Sequence, residues 1–433
     1  MSVLPNEWLF GPNRDFKYRL NTIEKIYFAD KLLKNLQKYI KRSKEMQTGK
    51  TAGTYFCVAL VLFSLIFYFG FNNKVIDYIP SFMSKVHAAE TQKNDNFLTI
   101  RDMTGRIVRL PQKIQRIATP NVDAFRIIIQ LGGQDKLVGI PSNMYGSKYS
   151  MEDTIEVSAW PESKKIPKIG GGRPGTEINV EAILALNPDV VVMWARPIGR
   201  GKWASPNEQA NQLERKTGIP VICISVYSGE AKDINTFREA YLILGKLLDR
   251  ESRARKLLNY YDNEVTKITT VVKTIPAEKR IKAYIGGASS FLQNFGEYLP
   301  LVQLGAINVA SNIRKKGGKI SKEQLVKWNP DIIFLHTPSK KFRTNIKDLV
   351  SDEALKTLKA VKNRRCYHIK GPYMGWDIAT GLVDLIYMAK LTYPNHFKTL
   401  DVEQKGDEIL KKFYRVKGLY QKLAENSSFH RFK

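Results

Sequence analysis

The sequence has few of the residues on which disulfide-rich, zinc-binding and many catalytic proteins depend. Three cysteines in 433 residues argue against a disulfide scaffold, and Cys223 and Cys366 lie in strand-like runs that predict buried thiols. None of the five histidines lies between residues 89 and 223, so a Zn²⁺ or Mn²⁺ site built from several histidines is not expected. No Gly-x-Ser-x-Gly, Cys-x-x-Cys or paired-histidine motif is present. The sequence therefore predicts neither enzymatic activity nor a resident cofactor or metal.

Acidic residues are also scarce relative to basic ones. The chain holds 69 Lys and Arg against 41 Asp and Glu, a formal net charge of +28. Such an excess indicates an anionic partner, and composition alone leaves nucleic acid, a membrane surface and an acidic small ligand open. The length predicts at least two domains.

A long uncharged run occupies residues 51–71 and is about the length that spans a bilayer. The basic residues 1–50 before it predict a cytoplasmic N-terminal segment and export of the rest, by the positive-inside rule. Val86-His87-Ala88 is typical of a signal-peptidase site. The run is therefore either a permanent anchor or a signal cleaved after Ala88, and residues 72–96 form a linker. Export argues against a nucleic-acid partner.

Two details of the N-terminal region bear on this prediction. Met46 is a second candidate start, in which case residues 1–45 are not translated. Cys57 lacks the preceding small residues of a lipidated cysteine, so a lipoprotein is not expected.

From residue 97 onward, strand and helix patterns alternate. Residues 97–111 predict a β-hairpin around a glycine-containing turn. An apolar strand, a helix capped by Asn121 and a second strand follow, which is typical of parallel βαβ units. Residues 251–275 place apolar side chains at helical spacing without Gly or Pro and predict one long helix. The pattern as a whole predicts an α/β fold with parallel sheets.

One phrase of the sequence occurs twice. A glutamate precedes Asn-Pro-Asp by six positions at Glu181 and again at Glu323, an offset of 142 residues (323 − 181). Asn179 and Ser321 are suitable N-caps, the prolines end each helix, and apolar strands follow. The repeat predicts two similar lobes, residues 97–250 and 276–433, joined by the helix at 251–275.

Residues 97–422 resemble the helical-backbone substrate-binding proteins of ABC importers, which deliver ferric siderophores, haem or vitamin B12. The resemblance is carried, in order, by RIVRLPQKIQRIAT, QLGGQDKLVGI, NVEAILALNPDVVV, LLDRESRARKLLNYY, ISKEQLVKWNPDIIF and VKNRRCYHIKGPYMGWD. It implies two Rossmann-like lobes with parallel sheets, a rigid inter-lobe helix, a ligand cleft between the lobes and no catalysis.

The resemblance also implies a role for the repeated glutamates. In the family a glutamate at this place in each lobe docks with arginines of the membrane permease, and the matching positions are Glu181 and Glu323. The alternative for each is a carboxylate that complements the helix dipole. The implied partners are a permease dimer and its ATPase.

Candidate ligand residues combine aromatic rings with cations in the loops that follow predicted strands. A ferric siderophore is anionic and flat-faced, so such loops suit it. The candidates are Trp194, Arg196, Tyr373, Trp376, Arg173 and Tyr145. Cobalamin, haem and molybdate or tungstate are the alternative ligands, although IGGGRPG lacks the tyrosine common in haem-binding relatives. A membrane-tethered sensor or scaffold with a binding-protein fold is the alternative of another class.

Overall fold

The computed structural model describes part of a single compact unit, Asp95–Lys433. The described residues are 97–142, 155–171, 177–195, 205–224, 226, 234–287, 289–294, 296–313, 318–337, 345–371 and 376–427. No helix within these ranges is long and apolar enough to cross a membrane. The apolar run at residues 51–71 lies outside the described residues, and its role as anchor or signal stays a prediction.

The unit begins with the predicted hairpin of β1 (Phe97–Arg101) and β2 (Ile107–Pro111), which pair antiparallel. In its turn, Asp102 accepts hydrogen bonds from the backbone N–H groups of Thr104 and Arg106, both at 3.0 Å. The other carboxylate oxygen of Asp102 accepts the N–H of Cys223 at 3.2 Å, which fixes the hairpin against the first lobe.

The first lobe is built around a four-stranded parallel sheet. Its elements are β3 (Ile117–Ala118), α1 (Val122–Leu131), β4 (Leu137–Gly139), α2 (Ile155–Ala159), α3 (Val180–Leu186), β5 (Val190–Trp194), α4 (Pro206–Thr217), β6 (Val221–Ile224) and α5 (Ile234–Leu247). The strand order is β4-β3-β5-β6, and every pairing is parallel. Strands β5 and β6 are buried along their whole length because helices cover both faces.

A single helix, α6 (Glu251–Lys273), follows the first lobe, where the sequence predicted one over 251–275. Its apolar side chains Leu257, Tyr261, Ile268 and Val272 are buried along one stripe. Helix α6 packs against α5 of the first lobe and against a helix that follows the second sheet. It therefore contacts both halves of the molecule.

The second lobe repeats the first. Its elements are β7 (Lys282–Gly286), α7 (Leu299–Gln303), β8 (Ile307–Asn308), α8 (Lys322–Trp328), β9 (Ile332–His336), α9 (Ile346–Val350), α10 (Lys359–Lys362), β10 (Cys366–Ile369), α11 (Ile378–Thr392), α12 (Val402–Tyr414) and α13 (Leu419–Ser427). Strand order is β10-β9-β7-β8, again parallel. Counted by place in the lobe, the strands follow the same order in both sheets.

The repeated Asn-Pro-Asp sequence forms the same turn between a helix and a strand in each lobe. Asn187 and Asn329 end helices α3 and α8 in left-handed conformation, with φ of 42° and 43°. The carboxylate of Asp189 accepts the N–H of Arg116 at 2.9 Å, and that of Asp331 accepts the N–H of Lys282 at 2.9 Å. Each aspartate thus secures the start of the neighbouring strand, which explains why the phrase occurs twice.

One large apolar core spans both lobes, and a smaller core lies behind each sheet. The last helices return to the first lobe, because α12 contacts α1 and α13 contacts α2. Lys422 donates to the carbonyl of Ser158 at 3.0 Å across this contact. The α/β fold with parallel sheets agrees with the prediction from the sequence.

Candidate ligand-binding site

The carboxyl ends of the strands in each sheet meet at one edge, which is where open α/β sheets bind ligands. In the first lobe, Thr119 follows β3 and donates from Oγ1 to the carbonyl of Val192 at 2.8 Å. Two residues later Asn121 begins helix α1. Trp194 is the last residue of the neighbouring strand β5 and is fully buried. The edge therefore places polar groups from two adjacent strands close together.

Two hydrogen-bond donors at this edge have no acceptor in the described part of the chain. Oδ1 of Asn121 accepts the N–H groups of Asp123 and Ala124, but its Nδ2 finds no acceptor among the described residues. The indole Nε1 of Trp194 likewise has none within the same ranges. A buried, unpaired N–H group costs about 1–3 kcal/mol, so donors left open in this way are candidates for a ligand acceptor.

The edge of the second sheet carries a nearly buried lysine. Lys370 follows β10 and is 6% exposed. Its backbone N–H donates to Asp384 at 3.0 Å, and its carbonyl contacts Nδ1 of His336, the last residue of β9. Burial, followed by the charge of Lys370, lowers the pKa of His336 to about 3. His336 is therefore neutral at physiological pH.

A buried ionic cluster joins the lobes beside these edges. The guanidinium of Arg126 lies 2.9 Å from Asp123, 2.9 Å from Glu156 and 3.7 Å from Asp377, and all four side chains are buried. Burial alone would lower the pKa of Arg126, but the carboxylates, Glu156 first, raise it well above its ordinary value. Burial raises the pKa of Asp377 despite Arg126 and the hydrogen bond from Tyr414. The cluster ties α1 and α2 to α11.

The predicted ligand residues divide between described and undescribed positions. Trp376 is buried, donates from Nε1 to the hydroxyl of Tyr298 at 3.1 Å, and packs edge-on against Phe237 with ring centroids 4.9 Å apart. Its ring and its donor are thus engaged within the protein. Tyr145, Arg173, Arg196 and Tyr373 lie outside the described residues. The ligand role of all six candidates stays a prediction.

Glu181 and Glu323 occupy matching exposed positions in the first turns of α3 and α8. Asn179 caps α3 by accepting the N–H of Ala182 at 2.8 Å, and Ser321 caps α8 by accepting that of Gln324 at 3.1 Å. The hydrogen bond to its own backbone, then Ser321, lowers the pKa of Glu323. One exposed carboxylate per lobe is thus available to a partner, and the docking role stays a prediction.

The structure contains polar residues that sequence patterns do not single out. The sequence predicts only a helix cap at Asn121, and Lys370 belongs to no motif. Arg126 stands alone in the otherwise apolar stretch AFRIIIQ, which is a usable signal for a buried cation.

No group of three or more His, Cys, Asp or Glu suited to a metal occurs in the described ranges. Cys223 and Cys366 are buried free thiols, as predicted, and burial raises the pKa of each to about 12.

Comparison with known proteins gives a consistent assignment. The family model described as "Periplasmic binding protein" matches residues 117–373, more than half of the chain. The molybdate-binding protein MolA of Haemophilus influenzae is 22% identical over 345 residues, covering 73% of this chain and 91% of that protein. A cobalamin-binding protein of Halobacterium salinarum is 21% identical over 276 residues, covering 62% and 65%.

Solved structures show the same fold. The periplasmic solute binding protein of Veillonella parvula superimposes with a TM-score of 0.62 at 21% identity, covering 77% of this chain and 97% of that one. With two equivalent parallel sheets and the family match across both, the chain belongs to the periplasmic binding protein family, as a substrate-binding protein of an ABC importer.

Proposed function

We propose that this protein captures an oxygen-rich anionic metal complex, with a ferric siderophore as the first candidate, and delivers it to its permease from outside the cytoplasm. The observation that carries the proposal is the indole N–H of Trp194 at the carboxyl end of β5, which has no acceptor among the described residues. Leaving this donor buried without an acceptor is unfavourable unless a ligand atom supplies one. Nδ2 of Asn121, at the adjacent strand, supports the same interpretation.

The unpaired hydrogen-bond donors of the site favour an anionic ligand. The groups at the first edge without an acceptor among the described residues are the indole N–H of Trp194 and the amide of Asn121, and both donate hydrogen bonds. The net charge of +28 acts in the same direction over longer distances. A ferric siderophore with catecholate or carboxylate oxygens meets these requirements.

A small oxyanion is the second candidate. The Haemophilus influenzae relative is named for binding molybdate, and the match covers 91% of its length. Four oxygen atoms around one metal would also satisfy donors such as Trp194 and Asn121. Cobalamin and haem are the remaining alternatives. Size separates these ligands, since a siderophore complex requires a much larger cavity than a tetraoxo anion.

The test is a titration of the purified protein, followed by tryptophan fluorescence, against ferric catecholate, hydroxamate and citrate complexes, haemin, cobalamin and molybdate. Saturable quenching by ferric complexes alone supports the siderophore, and saturation by molybdate alone supports the oxyanion. The variant Trp194→Phe keeps an aromatic ring but removes the N–H, so we expect about tenfold weaker binding by calorimetry. Unchanged affinity in this variant contradicts the role given to Trp194.

We propose that the protein delivers its ligand by docking through Glu181 and Glu323, which bind arginines on the two permease subunits by charge-assisted hydrogen bonds. The permease and ATPase reconstituted in lipid nanodiscs should show ligand-dependent stimulation of ATP hydrolysis by the wild-type protein. The double variant Glu181→Gln/Glu323→Gln should lose this stimulation of ATP hydrolysis. Absence of stimulation by the wild type would instead favour the membrane-tethered sensor or scaffold.

Tethering through residues 51–71 is also proposed, since the run is uncharged and about the length that spans a bilayer. The 11 Lys and Arg of residues 1–50 would then remain on the cytoplasmic side, with the lobes outside. Cell fractionation tests this proposal. Recovery of all the protein with the membranes supports the anchor, whereas a soluble form beginning at Ala89 shows that the run is a cleaved signal.

A further inference from the structure

Two exposed apolar side chains lie at equivalent places in the two lobes. Leu184 on α3 is 46% exposed and Val326 on α8 is 36% exposed. They are separated by 142 residues (326 − 184), the offset that relates Glu181 to Glu323. The repeat therefore preserves an exposed aliphatic side chain as well as an exposed carboxylate.

Helix geometry places these two groups together. Residues three positions apart are neighbours on one face of a helix, so Leu184 lies beside Glu181 and Val326 beside Glu323. The intervening Ile183 and Leu325 are fully buried and direct the opposite face into the lobe cores. Each lobe thus presents an exposed carboxylate with an exposed aliphatic group one turn away.

The apolar composition of α3 indicates that a partner covers its exposed face. Its sequence VEAILAL has Glu181 as its only polar side chain, although a surface helix normally carries polar residues on its outer face. Leu184 and Ala185 are both exposed. On α8 the residue equivalent to Ala185 is the exposed Lys327. The apolar area is therefore larger on the first lobe.

The charged surroundings leave the second carboxylate available. Lys322 precedes Glu323, but its ammonium lies 2.6 Å from the carboxylate of Asp352. The ion pair of Lys322 is with Asp352, although its charge also acts on Glu323 and helps to lower the pKa of that carboxyl group. A partner cation can reach Glu323 while an apolar group of that partner covers Val326.

We infer that Leu184 and Val326 are the apolar half of a two-point docking surface for the permease dimer, each lobe offering one carboxylate and one aliphatic side chain. The inference rests on the proposed docking through Glu181 and Glu323 and adds to it. Each permease subunit would present a cation beside an apolar side chain. The two-fold repetition of the pair matches a partner built from two equivalent subunits. The first lobe makes the stronger apolar contact.

The test measures binding of the full chain to its permease–ATPase complex in lipid nanodiscs. The variants are Leu184→Ser, Val326→Ser and both together, and the matched controls are Val302→Ser and Ile307→Ser. These controls remove apolar side chains that are 60% and 45% exposed elsewhere on the surface. We expect about three- to tenfold weaker binding for Leu184→Ser, less for Val326→Ser, and no change for the controls.

Salt dependence separates the apolar from the charged half of the surface. Screening weakens ionic contacts and leaves apolar ones largely intact. Leu184→Ser should therefore lower affinity by the same factor at low and high salt, whereas Glu181→Gln should flatten the salt dependence. Thermal unfolding of each variant checks that the loss arises from docking, since exposed substitutions should leave stability unchanged.

Two results overturn the inference. If the wild type binds the complex and the serine variants bind equally well, the apolar pair plays no part in docking. If sedimentation shows that the wild type dimerises and Leu184→Ser does not, the surface joins two copies of this chain. Failure of the wild type to bind the complex would instead refute the proposed delivery function, so the two failures are distinguishable.

Discussion

Arg126 donates a hydrogen bond from Nη2 to Glu156 across 2.9 Å, in a place where neither side chain reaches solvent. We expect Arg126→Met to destabilise the protein by about 3–5 kcal/mol, because three carboxylates would remain buried without their counterion. Urea unfolding followed by circular dichroism measures the loss. A variant that fails to fold at all, seen as loss of its far-ultraviolet signal, also agrees with this expectation.

The control for this prediction is Arg238→Met. Arg238 pairs with Asp262, but both side chains are partly exposed. Surface pairs contribute about 0–1 kcal/mol, so this variant should lie close to the wild type. Equal losses in the two variants would show that burial does not set the strength of the Arg126 cluster.

The lowered pKa of His336 predicts that the protein loses stability in acid. Its pKa is about 3 in the folded protein, below the ordinary value of 6.5, because burial disfavours the cation. The unfolded chain therefore binds a proton first, and stability falls as pH falls from 6.5 towards 3. The expected loss is about 2 kcal/mol between pH 6.5 and pH 5. Denaturant midpoints measured across this range check the slope.

His336→Asn should reduce that slope, since its amide can retain the contact with the carbonyl of Lys370 and does not titrate. The same change at the exposed His396 is the matched control and should leave the slope as it is in the wild type. A wild-type slope in His336→Asn would mean that other groups cause the acid sensitivity.

Substitution by glycine should change the stability of the protein differently at Asn187 and at Asn329. Both adopt left-handed φ, which glycine accepts without strain, so Asn187→Gly should change stability by less than about 0.5 kcal/mol. Oδ1 of Asn329 also accepts the N–H of Lys359 at 2.9 Å. Asn329→Gly should therefore cost about 1 kcal/mol. Thermal melts of both variants test the difference, and a larger loss at Asn187 would contradict it.

Gly381 lies within α11, where alanine normally stabilises a helix by about 0.5–1 kcal/mol. A Cβ at this position would lie 2.4 Å from the ring of Trp376. Gly381→Ala should therefore destabilise the protein and shift its tryptophan emission. Trp376→Phe in the same chain should recover part of the stability, because the smaller ring leaves room for the methyl group. An increase in stability from Gly381→Ala alone would refute the close packing.

The repeated helix–turn–strand phrase made the fold predictable from the sequence. Asn179, Asn187 and Pro188 act through local rules for helix caps and stops, which need no knowledge of distant residues. The buried strands after them could only be parallel, given the alternation of strands and helices. The two parallel sheets and the helix between them in the chain followed from these local signals.

Such local rules could not predict the contacts between segments that are distant in the sequence. Arg126 and Asp377 are separated by 251 residues (377 − 126), and no local pattern indicates that they meet. The sequence predicted Trp376 as a ligand residue because it follows a strand, and did not indicate that its ring packs against Phe237; its ligand role stays a prediction. Periodicity shows which residues are apolar, but the direction in which a loop side chain points depends on the tertiary structure.

The return of α12 and α13 to the first lobe has a consequence for how the chain matures. Asp377 and Tyr414 complete the surroundings of Arg126, and both are synthesised long after α1. A nascent chain that ends before them leaves a buried cation and the apolar faces of α1 and α2 without their cover. We therefore expect the first lobe to become fully stable only after α11 and α12 have been synthesised.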